Sequence, residues 1–194
     1  MDLLVKEEKG KLLDIVEKDL FKERVIHLNE DISSYTIENI VPLIQKINME
    51  DDLANIPVED RKPINLYVTS FGGEAYSGWH VVSIIENSKT PVYTHCLGYA
   101  MSMGLPIFLA GKKRFLGRYS TLLYHELRGG IEGTRQEVKR LDKEYDRLQK
   151  IYDDYIILKT TVTQEILDEH QDRVSDWYIS AEVAGQYSFY DELV

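Results

Sequence analysis

A serine lying between a predicted strand and a short apolar helix is the first residue whose setting suits chemistry. It is Ser102 in Gly98-Tyr99-Ala100-Met101-Ser102-Met103-Gly104. Small neighbours let its hydroxyl project, and the backbone N–H groups of a helix start point outward, where they would stabilise an oxyanion forming on an attacked carbonyl. The alternative is a helix N-cap, a position that serine commonly takes. Ser70-Phe71-Gly72-Gly73 ends another strand. Its paired glycines permit positive φ and the close approach of an anion or an extended peptide, although an ordinary strand-to-helix turn uses them too. His125 ends a strand and opens a glycine-bearing loop, the usual place for working residues on a rigid scaffold. His27, His80 and His95 fall inside elements and read as packed or surface residues. His170 lies near Asp168 and Asp172, but no second nitrogen ligand has a recognisable spacing, so no metal is expected. Asp172 and Asp176 are four residues apart and would share a face if that stretch is helical. Either could orient a histidine; a solvated acidic turn is the alternative.

These residues need elements to hold them. Arg24 to Leu28 reads as a strand, and Asp31 to Ile47 as a helix, with apolar residues at Ile37, Ile40, Val41, Ile44 and Ile47. Met49 to Pro63, acidic and broken by Pro57 and Pro63, reads as a surface loop. Ile64 to Thr69 alternates cleanly as a strand and leads through the glycine pair into a helix carrying Val81, Val82, Ile84 and Ile85. Val92 to Leu97 is a strand, Gly98 to Met103 a turn and Gly104 to Ala110 a short helix. Arg114 to Leu116 and Thr121 to Tyr124 are strands. From Thr134 to Thr160 the spacing predicts the longest helix, its seam running through Val138, Leu141, Tyr145, Leu148, Tyr152 and Tyr155 like a coiled coil. Arg140–Glu144 and Asp146–Lys150 would pair one turn apart on it. A helix of this length is expected to outreach a small domain and pack on another subunit. Alternating strands and helices make the class α/β.

The chain has 194 residues, 43% hydrophobic and 29% charged, which suits one core and excludes collagenous and wholly disordered readings. Residues 1–12 read as an N-terminal arm and 13–194 as one domain. The formal charge of −10 argues against a nucleic-acid partner. A single cysteine, Cys96, excludes an intramolecular disulfide and a Cys-based zinc site. The first thirty residues carry charge throughout and no apolar run nears a bilayer-spanning length, so a cytoplasmic protein with no membrane contact is expected.

From Leu13 to Val194 the chain resembles the proteolytic subunit family of the ATP-dependent Clp protease, ClpP. The likeness rests on Leu66 to Gly73, on Ala100-Met101-Ser102-Met103-Gly104, on Leu123-Tyr124-His125 with Gly129-Gly130, and on Asp176 to Glu182, four motifs in family order. Asp14-Ile15 and Leu20 to Ile26 are similar to the family's segment before its first strand. The resemblance implies a ClpP/crotonase-type fold of repeated strand-strand-helix units with a long protruding inter-ring helix. It implies a serine-type endopeptidase with Ser102 as nucleophile, His125 as base and Asp176 as its orienting carboxylate. The oxyanion hole would be the N–H groups of Gly73 and Met103. It further implies heptameric rings stacked as a tetradecamer, unfolded polypeptide substrates, and a partner AAA+ Clp ATPase docking near Asn65 and Tyr67. ATP would be that partner's cofactor, since this chain has no phosphate-binding G-x-x-x-x-G-K-[ST] loop and needs no cofactor of its own.

The departures from the family pattern are specific. Phe71 stands for the usual proline and Met101 for the usual alanine; Glu126 adds a carboxylate beside His125, and Asn65 replaces a common aromatic. The loop from Met49 to Pro63 is longer than is typical, and the sequence ends at Val194 without the usual C-terminal extension, so weakened ATPase docking is expected. Two other readings compete: an inactive ring subunit that assembles with an active paralogue, and a crotonase-type acyl-CoA enzyme.

Overall fold

The computed structural model describes residues 16, 18–130, 132–172 and 176–194; the expected N-terminal arm at 1–12 lies outside them. Five strands form one parallel sheet in the order β1-β2-β3-β5-β8: β1 Val25–Leu28, β2 Ile64–Val68, β3 Val92–Cys96, β5 Lys113–Leu116 and β8 Glu192–Leu193. A second sheet has three strands in the order β4-β6-β7: β4 Tyr99–Met101, β6 Thr121–Tyr124 and β7 Trp177–Ser180. In it β4 and β6 are parallel, β6 and β7 antiparallel. After a helical stretch at 18–22, the helices are α1 Ser34–Leu53, α2 Ala75–Glu86, α3 Gly104–Leu109, α4 Arg135–Lys159, α5 Gln164–Asp172 and α6 Ala181–Gln186. Mixed α/β architecture with a parallel sheet and a long helix agrees with the expected class and with a ClpP/crotonase-type fold. Among the described residues, no helix is long and apolar enough to cross a membrane.

Alternation explains the large sheet. Ile64, Leu66 and Val68 of β2 are fully buried, while Asn65 and Tyr67 on the opposite face stay half-exposed. Parallel sheets are normally covered on both faces; this one fully buries the face of Ile64, Leu66 and Val68. On the other, His27, Tyr67, His95 and Phe115 stack in a row, with neighbouring ring centroids 5.0, 4.6 and 4.5 Å apart.

Two helices differ from expectation. The stretch from Met49 is not loop at first, because α1 continues to Leu53 before the chain reaches a short 3-10 turn at Val58–Asp60. The reason is Asp51, which is buried and bound by the Arg24 guanidinium (Nη1 to Oδ2 2.8 Å) and the Thr90 hydroxyl (2.7 Å). An acidic residue that reads as surface thus anchors the helix end. The helix α4 begins where expected, with Thr134 and Glu137 in a reciprocal capping box. Its seam, however, changes exposure along its length. Leu141 is exposed near the start, whereas Leu148, Tyr152 and Tyr155 are buried in this chain's own core. A heptad spacing does not say which surface it packs on. The expected pairs are also replaced: Glu144 bonds Arg147 and Lys150 bonds Asp154.

The Arg24–Asp51 pair gives a stability prediction. Arg24 and Thr90 hold the Asp51 carboxyl below its usual range against the opposing effect of burial. A depressed carboxylate stabilises the fold above its unfolded value of about 3.9, and that contribution is lost as pH falls through the folded value. Removing one partner of a buried pair costs about 3–5 kcal/mol. Asp51→Asn should therefore lower urea stability by about that amount at pH 7, with the gap from wild type narrowing below pH 4. A constant gap across that range would contradict the assignment.

Candidate active site

The short β4 decides where Ser102 sits. The segment after β2 runs beside it, Ser70 N–H donating to Tyr99 C=O (3.1 Å) and Met101 N–H to Ser70 C=O (2.9 Å). Ser102 follows at φ +49°, a left-handed conformation that L-residues disfavour. Three backbone contacts hold it there. Its N–H donates to Leu123 C=O (3.0 Å), and its C=O accepts from Leu105 N–H (2.9 Å) and from the Tyr152 hydroxyl (3.1 Å). The helix-cap alternative is not what is observed: Met103 occupies the cap position of α3, without a side-chain cap, and Ser102 Oγ accepts no backbone N–H among the described residues.

Gly72 and Gly73 are required by close approach. At Gly72, φ +104°, a Cβ would lie 2.5 Å from Ser102 Cβ and 2.9 Å from Met103 N. At Gly73, φ +146°, it would lie 2.1 Å from Ile32 C=O oxygen. Ile32 bonds to the residues on either side of Gly73, accepting from Glu74 N–H and donating to Gly72 C=O. That leaves the Gly73 N–H unused. Among the described residues neither it nor the Met103 N–H has an acceptor.

His125 and Asp176 are placed by strand register. Met101 pairs Leu123 in β4–β6, and Tyr124 pairs Trp177 in β6–β7. His125 directly follows Tyr124 and Asp176 directly precedes Trp177, so both adjoin the same end of the β6–β7 pair, and β6 lies between β4 and β7. Asp172 is the last residue of α5, whereas Asp176 heads β7, so the two do not share a helical face. The side chain of Asp172 lies outside the described residues. The catalytic-type hydrogen bonds are not made in this conformation. His125 Nδ1 meets Glu126 C=O at 2.5 Å, and Asp176 forms an ion pair with Arg128.

Arg128 is not singled out in the sequence, nor is a contact of Tyr152 with the serine. Tyr152 lay in the α4 seam, and its role reaches Ser102 only through the fold. Cys96 is no rival nucleophile, since burial pushes its thiol up to about 11. His170 stacks on Trp177, and no metal-holding group of His, Cys, Asp and Glu occurs among the described residues. At the exposed aromatic row, Asn65 Oδ1 lies 2.9 Å from His95 Nε2, and burial lowers the His95 pKa.

A family model described as Clp protease matches residues 6–194, nearly the whole chain. The chain belongs to the Clp protease family. Two relatives in it are the ATP-dependent Clp protease proteolytic subunits 1 of Prochlorococcus marinus strain MIT 9312 and of Prochlorococcus marinus subsp. pastoris strain CCMP1986 / NIES-2087 / MED4. Each is 30% identical over 193 residues, spanning 97% of this chain and 93% of the relative.

The glycine packing is open to a direct test. Gly72→Ala forces a Cβ into the Ser102 turn at a φ that L-residues avoid, a strain of about 1–3 kcal/mol before any clash. Its urea midpoint should fall accordingly. Gly130→Ala, where nothing lies within 4 Å of an added Cβ, should stay within about 0.5 kcal/mol of wild type. Equal effects at the two positions would refute the close-approach argument.

Proposed function

We propose that the chain is a serine endopeptidase subunit that hydrolyses unfolded polypeptides. The observation that supports this reading is the strand order β4-β6-β7, since Ser102 follows β4, His125 follows β6 and Asp176 precedes β7. Ser102 Oγ attacks the peptide carbonyl, and His125 Nε2 takes its proton and returns it to the leaving amine. The negative charge on the carbonyl oxygen is met by the Gly73 and Met103 N–H groups, the two donors left without acceptors. Asp176 stabilises the imidazolium once it has left Arg128 and His125 has turned from Glu126 C=O. An exposed ion pair is worth about 0–1 kcal/mol, so that exchange is cheap.

The rest of the proposal concerns assembly. The exposed first half of α4 would join heptameric rings into a tetradecamer, enclosing the sites in a chamber. A partner AAA+ ATPase would spend ATP to unfold substrates and would dock on the open sheet face at Tyr67 and Asn65. We place this work in the cytoplasm. The relatives' description as subunits of an ATP-dependent protease supports an ATPase partner.

A second reading, a weak or inactive ring subunit mixing with an active paralogue, is favoured by one observation: His125 and Asp176 are each bonded elsewhere. Membership in the Clp protease family leaves the crotonase-type alternative without support.

Ser102→Ala separates the two readings. Loss of a triad nucleophile costs about a million-fold in serine proteases, so the variant should show no detectable hydrolysis of short fluorogenic peptides while sedimenting like wild type. A variant as active as wild type would sink the peptidase reading.

A further inference from the structure

One short segment, 125–128, supplies a bond to the candidate base and a bond to its candidate partner. His125 Nδ1 lies 2.5 Å from the carbonyl oxygen of Glu126, the next residue, and the Arg128 guanidinium pairs with Asp176. Between them, Leu127 N–H donates to Gln149 Oε1 of α4 at 2.7 Å, which pins the segment to the long helix. The two ends of the ion pair differ in their access to water. The Arg128 side chain is 65% exposed, whereas that of Asp176 is 26% exposed.

That pairing bears on the strength of the base. When a serine passes its proton to a histidine, a carboxylate beside the imidazole stabilises the imidazolium that forms. A negative neighbour favours the imidazolium and a positive one disfavours it. Arg128 therefore acts twice against His125: it draws on the Asp176 carboxylate, and its own charge offsets that of the aspartate. The bond runs from Nη2 to Oδ1, and a carboxylate has a second oxygen. The hold of Asp176 on the histidine is thus weakened by Arg128 and not abolished.

The surrounding elements bring other titratable groups. Glu126, on the same segment, is exposed. Tyr124 of β6 stacks on Tyr152 of α4 at 5.2 Å, and burial raises both phenols far above their usual range, so both stay neutral. Asp153 of α4 accepts from the Tyr124 hydroxyl. On β7, Tyr178 pairs Leu123 in register, and His170 of α5 stacks on Trp177 at 4.5 Å. Arg128 differs from all of these in placing a permanent cation on Asp176 itself.

Resting on the peptidase reading of the same site, we infer that Arg128 is a positioning residue that acts through Asp176. It holds the carboxylate and offsets its charge, and so keeps His125 a weaker base than it would be beside Asp176 alone. The resting subunit is held below its full activity by one exchangeable ion pair.

The test measures kcat/KM of the assembled protein for a short fluorogenic peptide across pH, in wild type, Arg128→Gln and Arg128→Lys. The Gln variant changes an exposed side chain, so its sedimentation and urea midpoint should match wild type. Its kcat/KM at low salt should rise about threefold to fivefold, the scale of one exposed ion pair. The acid limb of the pH profile, which reports the base of the free enzyme, should move to higher pH by about 0.5. The Lys variant keeps the charge and should return that limb close to wild type, which a purely structural role of the guanidinium would not do. Added salt should bring wild type up towards the Gln variant, because screening weakens an exposed pair. If the Gln variant cuts no faster, or its acid limb stays in place, while Ser102→Ala abolishes cleavage, the Arg128 inference is overturned and the peptidase reading stands. If no peptide is cut in a Ser102-dependent way by any of the three, the peptidase reading fails and the inference falls with it.

Discussion

The candidate site depends on one close approach, that of the Gly72 backbone to the turn at Ser102. No side chain fits between them, because a Cβ on Gly72 would lie 2.5 Å from Ser102 Cβ. The approach is set by β2 and β4: the chain leaving the large sheet pairs through Ser70 with the small sheet, so the junction of the two sheets is also where the serine turns. A left-handed serine is disfavoured by itself, by about 1–3 kcal/mol. It persists because its N–H and C=O are held by β6, α3 and α4 together. The same geometry leaves the Gly73 and Met103 N–H groups without partners, where unpaired donors ordinarily carry a penalty. Fold stability thus maintains a strained serine beside two unused donors.

Around this rigid centre the electrostatics divide by depth. Arg24–Asp51, with its carboxylate buried, anchors the end of α1. Arg128–Asp176 lies at the site and is exposed on the arginine side. Interactions of the first kind are expensive to break, those of the second easily exchanged. The backbone that positions Ser102, His125 and Asp176 is therefore firm, whereas the side-chain bonds that would link them are adjustable. Little free energy is needed to rearrange them.

Much of this was legible in the sequence. The alternation of Ile64, Leu66 and Val68 marks β2, the glycine pair marks the turn, and Ser102, His125 and Asp176 stand at the ends of elements. What was hidden depended on distant partners. Three residues, Tyr99–Met101, are too short to show a period, so β4 read as turn. Asp51 looked like surface because Arg24 lies 27 residues away. Leu148 and Tyr152 kept a helical spacing that serves an internal core and an inter-subunit seam equally. The environment of Asp153 is invisible in the sequence, since it is made by Tyr124, Gln149 and Gln171, drawn together from three elements.

The central claim is that Ser102 is an activated nucleophile in the native protein. Intact mass after exposure to a fluorophosphonate serine probe, followed by peptide mapping, tests it without any substrate. One adduct per chain, located on Ser102 and absent when the protein is first unfolded in urea, is the predicted result. An unmodified native chain, or an adduct on another serine, would contradict it.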